Sequence, residues 1–223
     1  MPTTTIPETR FRTIDGLRIR YAESTGAQGP TLLLTSPWPE SVYAIAPMWP
    51  TLAEHARLFA AAAHPERIAG AIVGTGGAAV PLQLGDPLKS WVLDPDLDKY
   101  RRMDPRAIVN VAVDTIAGGI PDEIRQDYQD CYAGDRFAES MRYVRRYPQE
   151  LPELAELLPH IATPVTIING RDDRVVPVAN AEFLDARLPN SRVAIIDAGH
   201  FVWEEAPVEY AVAVLDAIAR GQA

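Results

Sequence analysis

The sequence predicts an α/β fold, in which a mostly parallel sheet with flanking helices is interrupted by a helical insertion. Three observations lead to this prediction. Short apolar runs typical of buried parallel strands occur at residues 31–35, 68–74, 165–169 and 192–197. Helical stretches separate most of these runs, which indicates parallel pairing through right-handed crossovers. The long block 75–164 has helical periodicity and no strand pattern.

The composition is that of a soluble globular protein, and it excludes several classes of function. The chain has 223 residues, 47% of them apolar, and a formal net charge of −9. An acidic surface repels phosphate backbones, so nucleic acid is not an expected partner. The single cysteine, Cys131, excludes a disulfide framework within one chain, and no apolar run has the length of a membrane span. Because the N-terminus lacks an apolar signal core, we expect a cytoplasmic protein that binds no membrane.

The N-terminal segment is predicted to hold a hairpin, a buried strand and a helix. Residues Phe11–Ala22 have a β-favouring alternation around Asp15-Gly16, a dipeptide that favours a hairpin turn. Thr31–Thr35 is a continuous apolar run, which predicts a strand buried on both faces. Residues Pro50–Ala63 predict a helix, and Ile68–Gly74 predicts the next strand.

The rest of the chain divides into a helical block and the second half of the sheet. Residues 75–164 carry apolar positions at helical spacing, and prolines stand where helices start and stop. We expect this block to form a cap over one edge of the sheet. Residues 1–74 and 165–223 would then form the core domain, with helices at Val178–Leu188 and Pro207–Ala219.

Two polar loops that follow neighbouring strands carry the strongest chemical signal. Asp172 and Asp173 follow the strand Val165–Asn169. His200 follows the strand Arg192–Asp197. Parallel neighbours place both loops at one carboxyl edge, where open α/β sheets bind ligands, and a carboxylate bonded to an imidazole orients it as a base. A helix cap at Asp173 and a structural hydrogen bond at His200 are the competing interpretations, and Asp172 competes for the role of the acid.

These motifs resemble those of the α/β-hydrolase fold family. Residues 170–177, G-R-D-D-R-V-V-P, are similar to the family's G-x-x-D-x-x-x-P acid loop, which selects Asp173. His200 lies in G-H-F-V-W-E-E-A-P, which is similar to the histidine loop. Residues 36–41, S-P-W-P-E-S, resemble the H-G-x-P-E-S oxyanion loop with Ser-Pro in place of His-Gly. The resemblance covers nearly the whole chain and favours the capped branch of epoxide hydrolases, haloalkane dehalogenases and esterases.

The resemblance implies a hydrolase of a small, mostly apolar ester or epoxide. His200 would be the general base, oriented by Asp173, and the backbone N–H of Trp38 would bind the oxyanion. Tyr143 and Tyr147 would polarise a substrate oxygen from the cap, although packing within the cap explains them as well. This chemistry needs no cofactor, and the histidines show no metal-ligand spacing, so we expect neither cofactor nor metal. The expected partner is a small molecule, and a second copy in a homodimer is the other candidate.

The segment that carries the family's nucleophile is missing. The family places Ser or Asp in G-x-S-x-G or G-x-D-x-G before the strand that precedes the cap, and the sequence contains neither motif there. The sequence around residues 59–61 looks like a junction between two segments that are separated in the family. Either this chain has an internal deletion, or a stretch of a longer protein is absent. Ser36 is the candidate substitute nucleophile, although a turn hydroxyl is the stronger interpretation, and Cys131 is expected to be a packed thiol. A catalytically silent chain that binds a ligand or a partner is therefore the alternative function.

The same gap affects the predicted sheet. In the family one strand lies on each side of the strand that matches Thr31–Thr35, and the sequence shows neither. Because unpaired buried backbone groups are costly, we expect Thr31–Thr35 to pair directly with Ile68–Gly74, with the helix Pro50–Ala63 as the crossover. Strands borrowed from a second copy, or poor folding, are the alternatives.

Overall fold

The computed structural model describes residues 6–24, 29–55, 57–59 and 69–221. The strands in these ranges are β1 (Thr9–Ile14), β2 (Leu17–Ala22), β3 (Thr31–Leu33), β4 (Arg57–Phe59), β5 (Ala71–Gly74), β6 (Val165–Gly170) and β7 (Ser191–Ile196). The helices are α1 (Trp49–His55), α2 (Leu88–Leu93), α3 (Leu97–Arg101), α4 (Pro105–Val113), α5 (Asp122–Cys131), α6 (Arg136–Val144), α7 (Tyr147–Leu157), α8 (Ala179–Asp185), α9 (Val202–Glu205) and α10 (Pro207–Gly221). None of the helices in these ranges has both the length and the apolar character that crossing a membrane requires.

The N-terminal hairpin forms as predicted. β1 pairs with β2 in antiparallel register, and Ile14 lies opposite Leu17 across the turn. Both turn residues have positive φ, 49° at Asp15 and 79° at Gly16, which a tight two-residue hairpin loop of the primed type requires. Asp and Gly tolerate this backbone region better than most residues, so the dipeptide determines the turn.

A three-stranded parallel sheet carries the C-terminal half of the core. Its order is β5-β6-β7, with Val165 opposite Ala71 on one side and Ser191 on the other. β6 is buried along its whole length because it has a strand on each side and helices on its faces. The predicted parallel pairing of the strands that precede Asp173 and His200 is confirmed.

The predicted pairing of Thr31–Thr35 with Ile68–Gly74 is wrong. β3 pairs in parallel with β4, from Thr31 opposite Arg57 to Leu33 opposite Phe59. The helix predicted over residues 50–63 ends at His55, and β4 follows it after one residue. Alanine is the strongest helix former, and the alanines around Arg57–Phe59 favoured a helix that tertiary pairing overrides. Residues 60–68, which hold the rest of that predicted helix and the proposed junction, lie outside the described residues.

β3 and β5 each have one strand neighbour within the described part of the chain. β4 lies on one side of β3 and β6 on one side of β5, and no described ladder joins β3 to β5. One apolar side chain on each strand is also poorly covered, since Leu33 is 41% exposed and Val73 40% exposed. Parallel sheets are normally covered on both faces. β4 occupies one side of β3, where the sequence analysis found no strand, and among the described residues the other edge of β3 and one edge of β5 have no strand partner.

Residues 75–164, all of which the structure describes, contain α2–α7 and no strand, as predicted. Asp96 and Asp104 cap α3 and α4 by accepting backbone N–H groups, and Pro105 begins α4. The predicted apolar stripes are mostly buried in one cluster with core residues, with Ile108, Ala112, Tyr128, Phe137 and Met141 beside Val42, Leu52 and Ile168. The helical block therefore shares a hydrophobic core with the sheet domain.

Candidate active site

Asp173 and His200 meet at the carboxyl edge of the sheet. Nδ1 of His200 lies 2.9 Å from Oδ2 of Asp173. The other oxygen, Oδ1, accepts the backbone N–H groups of Val175 at 2.9 Å and Val176 at 2.7 Å. The Asp173 side chain is fully buried, so all three bonds are shielded from water. This geometry confirms the predicted contact and holds the imidazole with its Nε2 unbonded to any of the described residues.

Backbone contacts hold the two loops against each other. Arg171 N donates to Ile196 O at 2.8 Å, and Asp172 N donates to Ala198 O at 3.0 Å. A Cβ on Gly170 would lie 2.0 Å from the carbonyl oxygen of Gly199, so only glycine allows this approach. The side chain of Asp172 is exposed, which excludes it as the acid partner of His200.

A mostly apolar pocket of about 330 Å³, partly open to solvent, lies against His200. Its walls come from the loop after β3, the helical block and the acid and histidine loops: Trp38, Pro39, Pro87, Leu88, Trp91, Ala112, Thr115, Val175, His200 and Phe201. The hydroxyl of Thr115 already donates to Ala112 O at 2.7 Å. Among the described residues of the wall, His200 is the one titratable group, and none is Lys or Arg. Such a pocket suits a small, largely uncharged molecule with a single polar centre.

Trp38 lines this pocket and belongs to the predicted oxyanion loop. The ring lies 5.3 Å from those of Trp91 and Phe137, and its Nε1 donates to Ser140 Oγ at 2.8 Å. Its neighbours Pro37 and Pro39 have no N–H group. The N–H of Trp38 is therefore the only donor of this stretch, and no described residue accepts it. The oxyanion role of Trp38 stays a prediction that the geometry permits.

The other predicted site residues lie elsewhere. Ser36 is exposed and does not line the pocket. Ser41 donates to Asp127 Oδ2 at 2.5 Å and accepts Tyr43 N, so it caps a turn. Tyr143 is 64% exposed and packs on Tyr147, and neither lines the pocket. The predicted role of Tyr143 and Tyr147 in polarising a substrate oxygen stays a prediction.

No described hydroxyl or thiol is bonded to Nε2 of His200. Cys131 lies beside Arg20 and Asp127, with its Sγ 4.0 Å from Asp127 Oδ2, and burial raises the pKa of its thiol. Its protonated, half-buried state fits the prediction of a packed thiol. Among the residues that the structure describes, no group of three or more His, Cys, Asp or Glu side chains is arranged to hold a metal ion.

A buried polar cluster behind the pocket was missed by the sequence analysis. Oε2 of Glu40 accepts Trp203 Nε1–H at 2.8 Å, and Oε1 of Glu204 accepts the Tyr128 hydroxyl at 2.5 Å. Burial and the nearby Glu204 raise the pKa of Glu40 well above its usual value. Burial raises the pKa of Glu204 to about 7, and burial with the two carboxyls raises that of Tyr128. Glu40 and Trp203 are 163 residues apart, so no local pattern announces the contact.

Comparison with known proteins identifies the fold and its relatives. A family model described as alpha/beta hydrolase fold matches residues 31–207. A 2-hydroxy-6-oxononadienedioate/2-hydroxy-6-oxononatrienedioate hydrolase of Pseudomonas putida is 28% identical over 170 residues, 70% of this chain and 56% of that protein. A hydrolase of the same name from Cupriavidus pinatubonensis is 28% identical over 163 residues, 68% of this chain and 54% of its own length. The chain thus spans about half the length of these relatives.

Solved structures agree with this assignment. Cfl2 from Burkholderia cenocepacia superposes with a TM-score of 0.73 at 17% identity, covering 98% of each chain. An enol-lactonase from Burkholderia xenovorans gives a TM-score of 0.67 at 16% identity, covering 94% of this chain and 100% of that one. At these identities the likeness concerns the fold alone. Together with the family match over most of its length, it shows that the chain belongs to the α/β-hydrolase fold family, whose members here are hydrolases.

Proposed function

We propose that the chain is a weak hydrolase of small, mostly apolar esters or epoxides, with His200 as general base and Asp173 as the residue that orients it. The observation that carries this proposal is the 2.9 Å contact of Asp173 and His200 at the wall of an apolar pocket. The helical block 75–164 acts as the cap in this proposal, because Leu88, Trp91 and Ala112 form part of that wall. No cofactor takes part.

Water is the nucleophile that fits the described residues for an ester. Nε2 of His200 takes a proton from water while the hydroxide adds to the carbonyl carbon, and the carbonyl electron pair moves to oxygen. In this proposal the N–H of Trp38 stabilises the resulting oxyanion. The intermediate then expels the alkoxide, which takes the proton back from Nε2, giving an acid and an alcohol. Without a protein nucleophile, we expect a turnover number on the order of 10⁶-fold below that of a complete enzyme.

The pocket favours an ester or epoxide over the substrates that the relatives' names describe. Those hydrolases act on dioates, which carry two carboxylates. A carboxylate buried without a cation loses its hydration and gains no partner. Since no described residue of the pocket wall is Lys or Arg, none of them offers a counterion to a second carboxylate.

The test is hydrolysis of p-nitrophenyl acetate and p-nitrophenyl butyrate by the chain and two variants. We expect slow turnover that His200→Ala abolishes and that Asp173→Asn reduces by roughly 10²-fold or more, because the ring loses its orienting anion. Asp172→Asn is the matched control, since Asp172 is the exposed neighbour. Turnover that survives His200→Ala would reject this proposal, and turnover of ordinary enzymatic size would point to a nucleophile, with Ser36→Ala the first variant to make.

A catalytically silent, ligand-binding chain is the second candidate, and the observation that favours it is the unoccupied Nε2 of His200. A fluorophosphonate probe tells whether the protein has a nucleophile, because only a nucleophilic side chain forms a covalent adduct with the probe. We expect no adduct. Binding of an uncharged aromatic ligand, read from quenching of Trp38 and Trp91 fluorescence, with no turnover above that of His200→Ala would establish the silent alternative.

A further inference from the structure

Glu40 connects three elements that surround the proposed site. It lies on the loop after β3, two residues beyond Trp38. Its carboxyl group accepts the indole N–H of Trp203 on α9, the helix that begins two residues after His200. Its backbone carbonyl accepts the hydroxyl of Tyr132, which follows α5 of the helical block, at 3.1 Å. One residue therefore bonds the Trp38 loop to the histidine segment and to the helical block.

The surroundings of Glu40 favour a neutral carboxyl group. The residue is 2% exposed, and Oε1 has no hydrogen-bond partner among the described residues. A buried anion with an unmatched oxygen costs more than a buried neutral carboxyl with the same gap. The cation Arg20 is already paired with another carboxylate, because its Nη1 lies 2.7 Å from Oδ1 of Asp127. Glu204 adds a second acidic group close enough for its charge to act on Glu40.

We propose that Glu40 is a positioning residue of this site, which holds its proton and thereby keeps the Trp38 loop in place against the segment that carries His200. Loss of that proton would put a second negative charge into the cluster with Glu204. The cheapest relief is separation of the two carboxyl groups. Because Glu40 lies on the same short loop as Trp38, such separation moves the predicted oxyanion donor relative to Nε2 of His200.

Titratable groups from α5, α9 and β2 lie around the Glu40–Glu204 pair. From α5 these are Tyr128, which donates to Glu204, and Asp127, which is paired with Arg20 of β2. Tyr132 and Cys131 lie at the end of α5. On α9, Glu205 accepts the N–H of Gly199 at 2.8 Å and is thereby occupied. Arg20 is the cation among these groups, and because it is bonded to Asp127, no described side chain serves the Glu40–Glu204 pair as a counterion of its own.

The tryptophan side chains allow a direct test that needs no substrate. The chain has four tryptophans, so its indole ¹H–¹⁵N signals can be assigned by single Trp→Phe variants. The signals of Trp38 and Trp203 are followed from about pH 5 to about pH 9, a window that covers the titration of a buried carboxyl. The experiment is made in a His200→Gln background, so that titration of the imidazole does not contribute.

We expect the Trp203 and Trp38 signals to shift together, with one common midpoint. Glu40→Gln keeps an acceptor for Trp203 and should remove both shifts. Glu204→Gln removes the like charge and should lower the midpoint, which also tests the proposal if Glu40→Gln does not fold. Glu139→Gln, an exposed carboxyl on α6, is the control and should leave both shifts unchanged.

Three results would overturn the proposal. A Trp38 signal that stays fixed while Trp203 titrates would show that Glu40 stabilises the fold without positioning the loop. Signals of Trp203 and Trp38 that shift with different midpoints would show that the Trp38 loop does not follow the protonation of Glu40. A Glu40→Gln variant with the titration of the parent chain would assign the shift to another group.

Discussion

The side chain that is missing at Gly170 controls how closely the acid and histidine loops approach. A Cβ there would lie 2.0 Å from Gly199 O and 2.5 Å from Ala198 O, and both are backbone atoms that cannot rotate away. We expect Gly170→Ala to lower the free energy of unfolding by about 2–4 kcal/mol, which urea denaturation measures, and to abolish ester turnover. Gly76→Ala is the control, since its Cβ would meet Gly74 O at an ordinary 3.8 Å. Equal stability of the two variants would contradict the argument.

Glu204 makes the stability of the chain depend on pH. Burial raises its pKa to about 7 in the folded chain, against 4.5 for the ordinary group. The folded chain therefore binds this proton more tightly than the unfolded chain does, and the free energy of unfolding falls as pH rises between those values. The full loss from this group is up to about 3 kcal/mol, at 1.36 kcal/mol for each pKa unit. Urea denaturation at about pH 5 and about pH 8 should show this fall, and Glu204→Gln should reduce it. An equal fall in Glu204→Gln would assign the effect to other groups.

Among the elements, α8 fixes the start of the helical block through one buried amide. Oδ1 of Asn180 accepts Ala78 N and Ala79 N at 2.9 and 3.0 Å. Its Nδ2 donates to Gln83 O and Pro177 O at 2.9 and 3.0 Å. This bonding occupies every donor and acceptor of a fully buried side chain. The segment it holds leads directly to Pro87 and Leu88 of the pocket wall.

We expect Asn180→Ala to lower the free energy of unfolding by at least about 3 kcal/mol, because four backbone groups lose a buried partner. The loss should weaken binding of an uncharged aromatic ligand as well, since the pocket wall loosens. Thermal denaturation and fluorescence titration measure the two effects. Asn190→Ala, at an exposed position, serves as the comparison and should change neither. A stable Asn180→Ala variant would show that water replaces the amide.

The elements that could be predicted from sequence are those whose signal is local. Asp15 and Gly16 specify their own turn, and the apolar run Val165–Asn169 reads as a buried strand because every position of β6 is covered. β4 could not be predicted, because three residues among alanines carry a helical signal and become a strand only beside β3. The Asp173–His200 pair was predictable because both residues end adjacent strands. The Glu40–Trp203 bond, between residues far apart in the chain, was not.

At the scale of the whole molecule, we expect association through the edges of β3 and β5 that no described strand pairs. Unpaired strand edges with exposed apolar side chains promote strand addition from other chains. We therefore expect concentration-dependent dimers in sedimentation velocity at about 10–100 μM, and Val73→Lys should shift the chain toward monomer by placing a charge on β5. Val111→Lys, which alters a more exposed valine on α4, is the control and should leave the dimer intact. A parent chain that is monomeric at the highest concentration would exclude a homodimer built on these edges.

The acid and the base of this site are carried by one continuous stretch, β6 through α9, and their mutual contacts lie within it. In the proposed function this stretch presents an oriented imidazole that needs a nucleophile from solution to deprotonate, because no described hydroxyl or thiol is bonded to its Nε2. A small alcohol, thiol or hydroxylamine that diffuses into the partly open pocket would meet that need and accept the acyl group itself. In such a chain the composition of the surrounding solution determines the acyl acceptor, and a hydrolase that lacks its own nucleophile becomes open to chemical rescue.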